Sequence, residues 1–194
     1  MDIEKLFAVL PLSDPPSESF KASLQQEAIY LSLPKNHFLV EAPRPTDHVY
    51  LLEDGFAIGL VFEEGQKKIH SFWGAGDVVL TPQGCFERAH PVEFVQLTEG
   101  SNVWCLHHTA VENLFELFKE ARALYRLVLG RYYALTQSRL FDLQHRDTWQ
   151  RYEKLLHQFP HLEQRISQEY IASYLGITPQ SLSRMKREQR KRNS

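Results

Sequence analysis

The chain has 194 residues, 43% hydrophobic and 24% charged, enough to bury one large core or a medium domain beside a small one. Its 22 Lys/Arg and 24 Asp/Glu leave a formal net charge of −2, so the chain as a whole is neither strongly basic nor strongly acidic. Two cysteines, Cys85 and Cys105, exclude a disulfide framework and a four-thiolate cluster, and there is neither an 18-residue apolar run for a membrane span nor a basic-then-apolar leader at Met1-Asp-Ile-Glu-Lys. The expectation is a reduced, cytoplasmic protein that is not bound to a membrane.

Residues 2–9 predict a short helix stopped by Pro11. A second helix is expected after Pro15-Pro16, with Ser17 as its cap and Phe20, Leu24 and Ala28 at helical spacing. From Ile29 the texture changes. Runs at 29–33, 37–40, 48–52, 56–62, 68–73, 92–97 and 102–106 read as short strands, separated by Pro, Gly, Asn and Asp. Glu64-Gly65 marks a hairpin. Turn signals at such regular spacing predict an antiparallel sandwich or barrel. The segment 80–91, with Pro82, Gly84 and Pro91, reads as a loop.

After His108 the strands stop. Residues 109–118 form a capped amphipathic pattern that starts at Thr109. From Lys119 to about Gln144 the pattern stays helical, interrupted only by Gly130. Leu124, Leu127, Val128, Arg131 and Leu135 line one side in a 3–4 alternation, which predicts a dimerisation seam. Packing back onto the sandwich is the alternative for that face. Residues 148–159 make another amphipathic helix, whose stripe of Trp149, Tyr152, Leu155, Leu156 and Phe159 reads as core and not as base-stacking aromatics.

The most specific stretch is Ile166 to Arg184. Ser167 reads as an N-cap ahead of Ile171, Ala172 and Leu175 on one face. Gly176 supplies the left-handed exit. Thr178 caps a second helix with Pro179 at its first position and Leu182 and Met185 on its buried edge. Small Ala172 allows the two helices to cross closely. Gln180, Ser181, Arg184, Lys186 and Arg187 supply polar and cationic donors. This is the pattern of a helix-turn-helix that presents basic side chains to double-stranded DNA. Residues 165–194 hold seven Lys/Arg and two Asp/Glu, net +5, so the remaining chain is −7. A basic end on an acidic body is an electrostatic footprint for phosphate. The residues from Arg190 on read as a frayed tail.

Nine histidines raise the question of a metal site. His107 and His108, adjacent on a strand, would face opposite ways and could not share an ion. No His-x-His strand with a following Glu is present, as a cupin metalloenzyme would require. No metal site, catalytic residue or cofactor is expected, and the protein is not read as an enzyme. Cys85 reads as a small buried residue.

In order, the chain runs from short helices through a β-roll and a long helix to a helix-turn-helix. That order resembles the CRP/FNR family of bacterial transcription regulators over nearly the whole chain. Val49–Gly55, Phe72–Asp77, Arg151–Leu156 and Ile166–Arg184 carry the resemblance. It implies an α+β fold: a cyclic-nucleotide-binding-like roll over 1–108, a hinge and dimerisation helix over 109–146, and a DNA-binding head over 147–194. It also implies a homodimer, an effector held in the roll, and RNA polymerase as a partner.

The family's cyclic-nucleotide Gly-Glu pair falls on Leu80-Thr81 and its Arg-Ser pair on Pro91-Val92, with Arg88 out of register. A cyclic nucleotide is therefore not expected, and the effector pocket, built around Leu80, Thr81, Cys85, Arg88 and Val92, has an unknown ligand or none. The N-terminal cluster cysteines of FNR-type members have no counterpart. The resemblance places Thr178 as a phosphate-binding cap, Gln180 and Arg184 as base readers, and Ser167, Gln168, Ser181 and Ser183 as phosphate contacts. Pro179 stands where a base-reading Arg is usual. The chain reads as a short form without the family's C-terminal wing. A sensor or interaction module whose truncated head no longer binds DNA specifically is the competing expectation.

Overall fold

The computed structural model describes residues 15–79 and 91–192. The predicted helix at 2–9, most of the 80–91 loop, and Leu80, Thr81, Cys85 and Arg88 lie outside the described residues. The architecture is the expected α+β one. Helix α1 (Glu18–Glu27) starts on Ser17, whose hydroxyl accepts from the Phe20 N–H at 3.3 Å. Its Phe20 and Leu24 are buried against Leu51, Trp104 and Leu114.

Among the described residues eight strands follow: β1 (Ile29–Leu33), β2 (Phe38–Val40), β3 (His48–Leu52), β4 (Ala57–Glu63), β5 (Gln66–Trp73), β6 (Val78–Val79), β7 (Phe94–Leu97) and β8 (Ser101–His107). They form two antiparallel four-stranded sheets, ordered β1-β8-β3-β6 and β2-β7-β4-β5. Leu39, Leu52, Ala57, Trp73, Val95, Leu97 and Val103 fill the space between them. The β4–β5 hairpin turns at Glu64-Gly65 with both residues left-handed, as the sequence predicts. Gly55 holds φ +94°, and a Cβ there would stand 2.0 Å from Ser101 Oγ, so this turn requires glycine.

Two local expectations are corrected. His107 closes β8 and His108 opens helix α2 (His108–Leu117), so the pair is not adjacent on one strand. The α2 cap is His107, whose Nδ1 accepts from the Thr109 N–H at 3.3 Å, and Thr109 lies inside the helix.

Helix α3 (Lys119–His145) runs for 27 residues and passes through Gly130 unbroken. Only Ala121 and Asp142 are fully buried along it. Leu124 and Val128 are half-buried, and Leu127 and Leu135 are exposed. Arg131 pairs with Asp77 Oδ1 at 2.6 Å. Exposed apolar surface continues past the predicted seam through Leu140, Phe141 and Leu143.

The head comprises α4 (Thr148–Gln158), α5 (Leu162–Arg165), α6 (Gln168–Leu175) and α7 (Pro179–Arg192). A capping box between Asp147 and Gln150 starts α4. The basic end that reads as a frayed tail is helical through Arg192.

One apolar cluster crosses from roll to head. Phe56, Ile58, Leu60, Ile69 and Phe72 pack with Tyr152, Leu155, Leu162, Ile171 and Leu175. Both faces of β4 are therefore covered, one by the roll interior and the other by the head.

Candidate nucleic-acid interface

The helix-turn-helix forms as its residues require. Ser167 Oγ accepts from the Tyr170 N–H at 3.3 Å and starts α6. Gly176, at φ 73° and ψ 30°, ends it, and the Ile177 N–H returns to Ala172 O at 3.0 Å. Thr178 Oγ1 accepts from the Ser181 N–H at 3.2 Å, and Pro179 opens α7. Ile171, Ala172, Leu175 and Leu182 are buried where the two helices cross, with Met185 against them.

The opposite side of this corner faces solvent. Ser167, Gln168, Thr178, Gln180, Arg184 and Arg187 are exposed, and Ser181, Ser183 and Lys186 are half-buried. Gln180, Arg184 and Arg187 stand at i, i+4 and i+7, one stripe along α7. Two predicted donors have partners within the head. Lys186 Nζ donates to Glu163 Oε1 and sits 5.8 Å from the centre of the Tyr152 ring. Ser183 Oγ donates to Gln168 Oε1 at 3.4 Å. Burial raises the Glu163 carboxyl, but hydrogen bonds from Lys186 and Tyr152 outweigh it and hold that group below its ordinary value. Burial first, then Glu163, push the Tyr152 hydroxyl upward, so it stays protonated as a donor to Glu163 Oε1 at 2.8 Å.

The remaining face of α6 docks on β5, the edge strand of its sheet. Ser173 Oγ accepts from the Ile69 N–H at 3.0 Å and donates to Lys67 O at 3.4 Å, which closes part of the open edge. Tyr170 OH accepts from Lys67 Nζ at 3.4 Å. Arg139 of α3 donates to His70 O and, at 3.5 Å, to Tyr174 O, with its guanidinium 4.0 Å from the centre of the Tyr174 ring. Phe159 reaches Phe56 and Phe72 edge-on at 5.4 and 5.9 Å.

Beside this contact His70 Nε2 lies 3.1 Å from Glu93 Oε2, without hydrogen-bond alignment. An ion pair there requires a protonated ring. Burial and the Arg139 charge lower the His70 pKa to about 4, so the ring is neutral near pH 7 and the contact is not a salt bridge.

The docking residues Tyr170, Ser173, Tyr174 and Arg139 were not among the predicted site residues. One signal was available: Phe56-Ala-Ile-Gly-Leu-Val-Phe62 is apolar throughout instead of alternating, as for a strand covered on both faces. In the roll, Val92 is 68% exposed, so its side chain does not line an enclosed pocket. Cys105 is buried, and burial raises its thiol pKa.

No protein-family model and no curated protein sequence matches this chain. Solved structures do match. The global regulator CLP of Xanthomonas campestris, described as c-di-GMP responsive, superposes with a TM-score of 0.72 at 13% identity, over 91% of this chain and 93% of its own. FixK2 from Bradyrhizobium japonicum gives 0.69 at 18%, over 86% of each chain. CooA from Carboxydothermus hydrogenoformans gives 0.69 at 20%, over 98% of this chain and 85% of its own. The chain has the fold of CRP/FNR regulators. The likeness reaches from the roll through the long helix into the head. Among the described residues no helix is long and apolar enough to cross a membrane, and no group of three or more His, Cys, Asp or Glu could hold a metal.

Proposed function

We propose that the protein is a homodimeric, sequence-specific DNA-binding transcription regulator of the CRP/FNR type. The observation that carries this is the stripe Gln180, Arg184 and Arg187, exposed on a capped helix whose other side is locked by Leu182 and Met185. Gln can pair bidentately with adenine, and Arg with guanine. Ser167, Gln168 and Thr178, at the two helix starts, are exposed beside that stripe and suit phosphate oxygens.

Dimerisation is supported by the apolar residues left open along α3, at Leu127, Leu135, Leu140 and Leu143. A second copy would cover them and set two heads side by side, the arrangement an inverted-repeat site requires. The roll would hold a small effector, or none, with a cyclic nucleotide disfavoured by Leu80, Thr81 and Pro91. The roll, hinge and head boundaries at 108 and 146 are part of this proposal. An effector would act by changing how the head rests on β5 and α3.

Selection from random duplexes tests the proposal. The bound pool should converge on an inverted repeat with half-sites about one helical turn apart. A pool that never converges contradicts sequence-specific recognition.

A further inference from the structure

Between the roll, α3 and the head lies a cavity of about 180 Å³. β5 and the turn after it form one wall, α3 a second, and α4 with α6 a third. We infer that this cavity binds a small aromatic anion, at a site separate from the interior of the roll.

The charges carry the inference. Among the described residues, Arg131, Arg139, Arg151 and Lys154 line the cavity against two carboxylates, Asp77 and Asp142, a net charge of +2. Arg131 is matched by Asp77 at 2.6 Å, and Lys154 by Asp142 at 2.5 Å. Asp142 Oδ1 also lies 2.9 Å from Arg146, without hydrogen-bond alignment, so its one charge is shared between two cations. Among the described residues, Arg139 donates to the carbonyl oxygens of His70 and Tyr174 and to no carboxylate. Arg151 Nη2 donates to the Thr148 hydroxyl at 3.2 Å, while its Nε is buried with no hydrogen-bond partner. Arg139 and Arg151 both line the cavity, and among the described residues neither meets a carboxylate. A buried N–H such as Arg151 Nε is unfavourable without an acceptor, and an anion would supply one. His70 adds no further positive charge near pH 7, because burial and Arg139 keep its ring neutral.

The rest of the lining selects the body of the ligand. Phe72, Tyr132, Phe159 and Tyr174 offer flat apolar surface. A cavity of about 150 Å³ accepts one benzene ring, so the volume here suits a single ring with an anionic head. All three parts of the protein contribute walls. A ligand that needs them together binds the docked head and stabilises that arrangement by mass action.

Calorimetric titration of the full chain with phenyl phosphate tests this without DNA, so its outcome is independent of the function proposed above. The expected dissociation constant is on the order of 0.1–1 mM for a ligand of this size. Inorganic phosphate, which lacks the ring, and phenol, which lacks the charge, should each bind at least about tenfold more weakly. Arg151→Gln should weaken phenyl phosphate by about tenfold or more. If that variant does not unfold cooperatively, Arg151→Lys takes its place, since it keeps the charge but loses the fork, and a several-fold loss is expected. No saturable binding up to about 10 mM overturns the inference. So does equal affinity for inorganic phosphate, or undiminished affinity in the folded Arg151 variant.

Discussion

Arg165 reaches from the last residue of α5 to the β7–β8 turn and grips Glu99, with Nη2 2.5 Å from Oε1 and Nε 3.3 Å from Oε2. The same guanidinium donates to Gly55 O at 2.8 Å and lies 4.7 Å from the centre of the Phe56 ring. One side chain therefore ties the entry of the helix-turn-helix to two turns of the roll. Bidentate geometry and partial burial make this pair stronger than an open surface pair, though its side chains remain 29% and 35% exposed. Arg165→Ala should loosen the docked head by roughly 1 kcal/mol. Hydrogen exchange at the α6 amides should then be about fivefold faster, while exchange in β7 and β8 stays unchanged.

Ser173 provides a second, separable test. Its hydroxyl satisfies the edge of β5 at Ile69 and Lys67. Ser173→Ala leaves the Ile69 N–H without its acceptor, at a cost of about 1–3 kcal/mol. The urea midpoint should fall without a change in slope, because the helices of the head remain folded.

How much of this was legible in the sequence depends on the range of the interaction. Ser17, Glu64-Gly65, Gly176 and Thr178 act within a few residues, and each appears where its chemistry predicts. β6, Val78–Val79, pairs with Tyr50 and Leu51 and is too short for any alternation to show. The His107 cap is an imidazole, a residue type the capping rules rank low. The docked head depends on contacts such as Arg165 with Glu99, 66 residues apart, which no local periodicity encodes. The unbroken apolar run of β4 was the only trace of it in the sequence.

His70 gives the pH dependence. Its folded pKa, about 4, lies below the ordinary 6.5, because burial and then Arg139 disfavour the charged ring. Between those values the unfolded chain binds the extra proton and the folded one does not. The His70 contribution to stability is therefore complete above pH 6.5 and is lost as the pH falls toward 4. Glu93 acts oppositely, since burial raises its carboxyl pKa and its contribution weakens as the pH rises past its ordinary value. The difference between wild type and His70→Gln isolates the histidine. In urea denaturation the variant should show a flatter loss of stability over that window.

The recognition helix separates readers from supports. Arg184→Ala and Gln180→Ala should each reduce affinity for a selected site by about 1–3 kcal/mol and relax the base preference at one position. Lys186→Ala removes a side chain held by Glu163 and Tyr152, so it should lower thermal stability more than DNA affinity.

The open side of α3 predicts an oligomeric state. Leu127 and Leu140 are 39% and 50% exposed in the single chain. Sedimentation should show a dimer at micromolar concentration. The double change Leu127→Glu and Leu140→Glu should give a folded monomer that binds a half-site weakly.

Fluorescence anisotropy of a selected labelled duplex, titrated with the full chain at several salt concentrations, tests whether α7 reads sequence. Log affinity should fall linearly with log salt, and Arg184→Ala should cut the preference for the selected site over random duplex by about tenfold or more. Affinity that ignores salt, or a preference untouched by Arg184→Ala, would contradict a sequence-reading role for this helix.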